Sequence, residues 1–126
     1  MMTIQSFLYK WLPIFFGCHC RSDRSLYYRG KQFPICARCT GELIGILVSF
    51  ILFWFWRPNL ASAIIMLIPL IIDGFGQRLT SYESNNFKRM ITGFLFGIGF
   101  AAIISITLSY AFNLGLEYGR SIRKQL

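Results

Sequence analysis

Acidic residues are scarce in this chain: five Asp and Glu stand against thirteen Lys and Arg. Charge of either sign is thin, at 14% of residues, where a soluble domain carries about 25%. That shortage excludes an ordinary soluble domain. Histidine is nearly absent, with a single residue, His19. No cysteine lies outside the segment from Cys18 to Cys39. No positive segment precedes the first apolar stretch, and that stretch is short, which argues against a signal peptide. Bulky Phe15 and Phe16 argue against lipoprotein-type cleavage at Gly17-Cys18.

The net charge of +8 would suggest nucleic acid in a soluble protein. Here no continuous basic helix or aromatic-basic surface remains once the apolar runs are set aside, so nucleic acid is not an expected partner. The Lys and Arg sit in loops and at helix ends, where they fix orientation and meet anionic lipid.

What is present is apolar: 55% of residues are hydrophobic and the mean hydropathy is +0.52. A length of 126 residues allows one domain. Three apolar stretches carry the excess, so the expected fold is all-α: an integral membrane bundle of three transmembrane helices. An N-terminal helix over 1–17 is interrupted by Lys10 and Pro13 and too short to cross, so it is expected to lie on or partly enter the bilayer. A Cys/His-rich loop over 18–40 caps one face. The spans are expected at 41–57, 60–76 and 90–113, with a polar loop at 77–89 and a solvated basic tail at 114–126.

Local signals refine this outline. Arg29-Gly30-Lys31 predicts a turn or hairpin tip. Tyr27, Tyr28, Phe33 and Pro34 are expected to give the loop a small apolar interior. Glu42 is expected in the first turn of the first span, where an acid suits the helix dipole. Trp54, Trp56, Arg57 and Pro58 form an aromatic belt, an anchor and a stop. Pro58-Asn59 predicts a tight turn, and Pro69 predicts a kink in the second span. Gly41 and Gly45, and likewise Gly93 and Gly97, are four residues apart. Each pair makes a strip that lets backbones approach, predicting close packing of the first and third spans.

Two spans separate the Cys loop from the 77–90 loop, so the two share a membrane face. That face carries Arg21, Arg24, Arg29, Lys31, Arg38, Arg78, Lys88 and Arg89. The other carries Arg57, Arg120, Arg123 and Lys124. This bias predicts a multi-pass cell-membrane protein with the Cys loop cytoplasmic.

The chemistry gathers in the loop. Cys36-x-x-Cys39 can turn two thiolates toward one tetrahedral ion. A second pair comes from Cys18, His19 and Cys20, at a spacing that suits a two-knuckle zinc site. Structural zinc is the favoured reading, and a reducing cytoplasm would keep the thiols available. A thiol–disulfide redox site, with Arg21 and Arg38 lowering a thiol pKa, is the second. Two structural disulfides on the outer face are the third. Thr40 after Cys39 excludes a Cys-x-x-Cys-His haem site.

A second constellation comprises Asp73, Gln77, Ser84, Asn86, Arg89 and Thr92. Asp73 and Gln77 are i, i+4 and share a helix face. An acid at the edge of hydrocarbon is costly unless paired, and Arg89 or Arg78 is the expected partner. Asp73, Gln77, Asn86 and Arg89 are therefore candidate catalytic residues, although a structural ion pair explains them as well. Asp73-Gly74 with Arg78 faintly suggests a phosphatidyl-alcohol transferase. The further aspartates needed for two metals are absent.

Cys18-His19, Asp23-Arg24-Ser25, Gly30-Lys31-Gln32-Phe33-Pro34, Cys36-Ala37-Arg38-Cys39-Thr40-Gly41 and Gly45 together resemble a signature of small bacterial and archaeal membrane proteins. Asp73-Gly74, Gln77, Ser84, Asn86, Arg89, Thr92-Gly93 and Gly97 resemble that family's second signature. The family is known only as a domain of unknown function. The resemblance covers roughly residues 15–100 and implies an integral membrane protein with Cys18, His19, Cys36 and Cys39 as the recurrent set. Cys20 departs from the pattern, and Asp23 stands where Glu is common. Which of Cys18, His19 and Cys20 would bind metal stays open.

The expected function is a membrane protein whose zinc-type site orders a cytoplasmic cap. The alternatives are a membrane-surface enzyme acting on a polar or phosphate-bearing lipid-soluble substrate, and a membrane thiol oxidoreductase. Membrane lipid is the expected partner, with a homo-oligomer and a small-molecule substrate left open.

Overall fold

A computed structural model describes residues 4–125. Helix α1 (Ile4–Phe15) leads into a short 3-10 turn (Ser22–Arg24) and a hairpin of β1 (Ser25–Tyr28) and β2 (Lys31–Cys36). Three long helices follow: α2 (Ala37–Phe55), α3 (Leu60–Leu79) and α4 (Asn86–Gln125). All three are long and apolar enough to cross a membrane. The expected all-α membrane bundle is therefore present, with one small hairpin added. Residues 1–3 of the expected N-terminal helix, and residue 126 of the tail, lie outside the described residues.

Helix α1 has 12 residues, roughly 18 Å of length, which is below the hydrocarbon thickness. Its Tyr9 hydroxyl donates to the Gln32 carbonyl at 2.7 Å, tying the helix to β2.

The hairpin turns at Arg29 and Gly30, with φ of 51° and 77°. Positive φ at both central positions is the two-residue geometry that suits strand twist. Tyr28 pairs with Lys31 across it. The aromatic interior expected for this loop is not there. Tyr27 and Tyr28 are exposed at 57% and 64%, and Phe33 also faces outward. Ser25 and Ile35 are buried instead. Phe33 and Ile35 share a face of β2, yet only Ile35, next to the junction with α2, is covered, because a two-stranded ribbon has little of its own to bury a side chain nearer its tip.

The helices extend beyond the apolar runs. Helix α2 begins at Ala37, directly after β2, so Cys36 is its N-cap and Cys39 lies in its first turn. Glu42 consequently falls in the second turn, and no acid occupies the first. Helix α3 opens with a capping box: Ser62 N–H donates to Asn59 Oδ1 at 2.8 Å, and Asn59 N–H to Ser62 Oγ at 3.2 Å. It continues through Pro69. Lys88 N–H donates to Asn85 Oδ1 at 2.9 Å, capping the start of α4. That helix has 40 residues, roughly 60 Å, and carries the basic tail as continuous helix.

Glycine decides how α2 meets α4. A Cβ on Gly93 would overlap the Arg38 carbonyl, and one on Gly97 the Glu42 carbonyl. In return, a Cβ on Gly41 would overlap the Met90 carbonyl, and one on Gly45 the Phe94 carbonyl. The backbones touch where side chains would stand, with glycine Cα–H facing carbonyl oxygen. Both partner series rise together, so α2 and α4 run parallel and begin at the same end. The predicted contact of the first and third spans is thus observed. On the other side, a Cβ on Gly99 would lie 2.8 Å from the Ala63 carbonyl of α3. The interior is accordingly built of Ala63, Ile98 and Ala102 with glycine and Ser49, while large apolar side chains such as Trp54, Phe55 and Ile72 face outward.

Candidate functional site

The parallel start of α2 and α4 brings the Cys loop, the end of α3 and the beginning of α4 to one mouth of the bundle. Cys18 follows α1, while Cys36 and Cys39 sit at the strand-to-helix junction. One sulfur from each of Cys18, Cys36 and Cys39 lies within 4.8 Å of the others. Cys36 and Cys39 share a sulfur–sulfur hydrogen bond at 3.4 Å, and Cys36 N–H donates to Cys18 Sγ at 3.2 Å. All four cysteines are free thiols. The Cys39 thiol, hydrogen-bonded to Cys36, lowers the Cys36 pKa to about 5 against the opposing effect of burial.

Cys20 stands apart from this triad. Its backbone has φ of 47°, and its thiol donates to the Pro34 carbonyl at 3.0 Å. Burial, with the neighbouring Cys18 second, raises its pKa. His19 is exposed, yet it lines the same cavity as the triad. Of the five sequence candidates, the structure brings three sulfurs together, while His19 and Cys20 line the same cavity outside that group. A Cβ-reversing positive φ at Cys20 is not legible from residue type.

Four residues of the second constellation, Asp73, Gln77, Arg89 and Asn86, form one hydrogen-bonded chain. Gln77 Nε2 donates to Asp73 Oδ2 at 2.9 Å. Arg89 donates from Nη2 to Gln77 Oε1 at 3.5 Å and from Nη1 to Asn86 Oδ1 at 3.3 Å. Asn86 Nδ2 donates to the Ser25 carbonyl at 3.4 Å, so α4 is stitched to β1. Gln32 Nε2 reaches Ser25 Oγ at 3.1 Å and the Cys20 carbonyl at 2.9 Å, closing the route to the Cys loop. Ser84 is buried beside this chain, and Thr92 Oγ1 donates back to the Arg89 carbonyl at 3.1 Å.

The partner of Asp73 differs from the expectation. Arg38 Nη2 donates to Asp73 Oδ2, as an ion pair between α2 and α3. Arg89 reaches Asp73 only through Gln77, and Arg78 is exposed on the next turn. The physical reason is the early start of α2. It makes Arg38 a first-turn helical residue at the mouth, where Asp73 ends the apolar run of α3. Arg38 and Arg24 are the site residues that sequence reasoning undervalued. The available signal was an arginine occupying the spacer of a Cys-x-x-Cys knuckle.

A cavity of about 220 Å³ opens between these groups, lined by all four cysteines and by Arg21, Arg24, Arg38 and Arg89. The two constellations read separately in the sequence therefore meet in one place. Arg38 belongs to both.

Comparison with known proteins places the chain among membrane proteins. It is 38% identical over 95 residues to an uncharacterized protein of Methanothermobacter thermautotrophicus, covering 71% of this chain and 85% of that one. It is 39% identical over 87 residues to an uncharacterized protein of Methanocaldococcus jannaschii, covering 64% of this chain and 56% of that longer relative. No solved structure matches the chain. A family model described as "Predicted membrane protein (DUF2085)" matches residues 18–103, from the first cysteine of the triad to the middle of α4, and the chain belongs to that family.

Proposed function

We propose that this protein is a membrane protein in which Cys18, Cys36 and Cys39 bind one zinc ion, and that the bound ion orders the Cys loop as a cytoplasmic cap. The observation that carries the reading is the convergence of three thiols from two chain segments to within 4.8 Å. Zinc favours tetrahedral thiolate sites, where sulfurs about 3.8 Å apart surround the ion at about 2.3 Å. The 3.4 Å between Cys36 and Cys39 needs little adjustment to meet that. The Cys36 N–H bond to Cys18 Sγ holds one ligand in place, as outer hydrogen bonds do in zinc sites. His19 at the cavity rim supplies the fourth ligand in this reading. Metal binding would then fix the turn after α1 to the N-terminus of α2, coupling the cap to the bundle. The cytoplasmic assignment rests on the excess of basic residues at this mouth.

Metal analysis of the full-length protein purified in mild detergent tests the reading. One zinc per chain is expected, with loss in both Cys36→Ser and Cys39→Ser. Full retention in both variants would remove it.

One observation favours a second reading, a thiol–disulfide site. Cys36 is an acidified thiol in direct contact with Cys39. That reading requires metal-free protein with a reversible dithiol couple, so the same purification separates the two.

A further inference from the structure

Four arginines line the cysteine cavity: Arg21, exposed and paired with Asp23, and three from three different elements, Arg24 of the 3-10 turn, Arg38 of α2 and Arg89 of α4. No Asp or Glu lines it among the described residues. Arg89 is buried, with 7% of its surface exposed. The Nε of each of the three is buried and has no hydrogen-bond partner in the protein. Arg24 Nε lies 3.6 Å from Asp23 Oδ2, which is an ion-pair contact but too long for a hydrogen bond. Buried charged donors are expensive to leave unmade. Like charges gathered at a partly desolvated mouth add to that cost. Arg24 and Arg38 stand with Arg89 around one cavity, and Asp73 and Asp23 offset only part of that like charge.

The nearby groups do not balance these charges. Asp73 is committed to Arg38 and Gln77. Asp23 is shared by Arg21 and Arg24 at the exposed edge. Three thiolates around a divalent ion would carry one net negative charge, too little for the remaining guanidinium groups. What the cavity lacks is an anion with several acceptor oxygens. Guanidinium clusters match phosphate better than any other common anion, through forked donors and charge-assisted bonds. The small volume, about 220 Å³, suits an ion or a headgroup rather than a large organic ligand.

We propose that this cavity binds a phosphate-type oxyanion through Arg24, Arg38 and Arg89. The proposal goes beyond the zinc reading and does not require it. It places anion contact on Arg89 and on two arginines of the Cys loop and α2. Asp73, Gln77 and Asn86 then act as positioning residues that hold Arg38 and Arg89 through side-chain hydrogen bonds. The phosphate can belong to a free ion or to a lipid headgroup, since the mouth lies at one end of three helices long and apolar enough to cross a membrane.

The test uses full-length protein in detergent, with zinc content measured on every sample. Thermal stability is followed during titration with inorganic phosphate, against chloride at equal ionic strength. A parallel titration compares dihexanoyl phosphatidic acid with dihexanoyl phosphatidylcholine. Saturable stabilisation by phosphate, by phosphatidic acid or by both is expected, and which of them acts identifies the source. Arg24→Gln should weaken the apparent Kd about tenfold, the loss of one charge-assisted bond. Arg29→Gln, with the same charge change at the exposed hairpin tip, should stay within about twofold of wild type. Arg89→Gln should weaken binding as well. It also loses hydrogen bonds to Gln77 and Asn86, so Arg24→Gln is the decisive variant. Phosphate no better than chloride together with phosphatidic acid no better than phosphatidylcholine would overturn the proposal. So would an Arg24→Gln protein that binds like wild type at unchanged zinc content.

Discussion

Arg38 and Asp73 form an ion pair between the first turn of α2 and the end of the apolar run of α3, the one ion pair that joins two of the long helices among the described residues. The Asp73 side chain is 8% exposed and that of Arg38 is 28% exposed. The carboxylate is therefore the more desolvated partner. Removing Arg38 strands it with only Gln77, whereas removing Asp73 leaves a guanidinium with partial access to water. Arg38→Gln should lower stability in detergent by about 3 kcal/mol, the cost of an uncompensated buried charge. Asp73→Asn should cost less. The double variant should recover part of the loss. Thermal melting of the four proteins measures this, and equal small effects of both single changes would remove the pair as a structural tie.

The pair also shows where sequence reading reached its limit. The three spans, the hairpin tip at Arg29-Gly30 and the Gly41/Gly45 and Gly93/Gly97 strips were legible because each rests on a local rule: run length, turn chemistry or small-residue spacing. The confinement of every Cys and His to one loop marked the mouth. The partner of Asp73 was not legible, because it depends on where α2 begins. Apolarity alone starts the span at Gly41, yet the helix starts at Ala37 and lifts Arg38 into reach. Cys20 lies outside the triad with its backbone at positive φ, and Tyr27 and Tyr28 are both exposed because a two-stranded ribbon has no layer to cover either face. Neither is encoded in residue type.

The glycine contacts predict a contrast between two substitutions of the same kind. Gly93→Ala places a methyl group against the Arg38 carbonyl, a backbone atom that cannot swing aside. Helix α2 must shift, at a cost of about 1–3 kcal/mol for overpacking. The shift acts on the residue between Cys36 and Cys39, so zinc retention should fall with stability. Gly74→Ala meets nothing within 4 Å and removes a glycine from a helix interior. It should be neutral or stabilising by up to about 1 kcal/mol. Melting curves and zinc content of the two variants check both halves; a Gly93→Ala protein as stable as Gly74→Ala would mean that the α2–α4 contact does not set the response.

The orientation of the sulfurs predicts that Cys18 and Cys20 are not interchangeable, although they are two residues apart. Cys18 Sγ belongs to the triad and accepts the Cys36 N–H. Cys20 is spent on the Pro34 carbonyl. Cys18→Ser should reduce zinc from about one per chain to near zero. Cys20→Ser should keep the metal, since a hydroxyl can make the same bond to a carbonyl. Zinc stoichiometry by mass spectrometry separates the cases. Loss in Cys20→Ser with retention in Cys18→Ser would reverse the ligand assignment and point to a rearranged loop in the bound state.

Topology provides the remaining prediction. Helices α2 and α4 run parallel, so the 3-10 turn and the loop before α4 sit at one end, and the C-terminal part of α4 lies at the other. Basic residues are denser at the first end, and the proposed orientation, with that end in the cytoplasm, follows from that bias. Exposed positions suited to labelling are Ser22 and Glu83 at that end and Ser121 at the far end. Ser84 is buried and would report poorly. In intact cells, Ser22→Cys and Glu83→Cys should resist a membrane-impermeant maleimide until the membrane is opened. Ser121→Cys should react at once. Wild-type protein provides the blank for the native thiols. Different accessibility at Ser22 and Glu83 would contradict the parallel arrangement itself. Labelling of both from outside, with Ser121 protected, would keep the bundle but invert it, moving the free cysteines to an oxidising compartment and weakening the case for zinc in favour of disulfides.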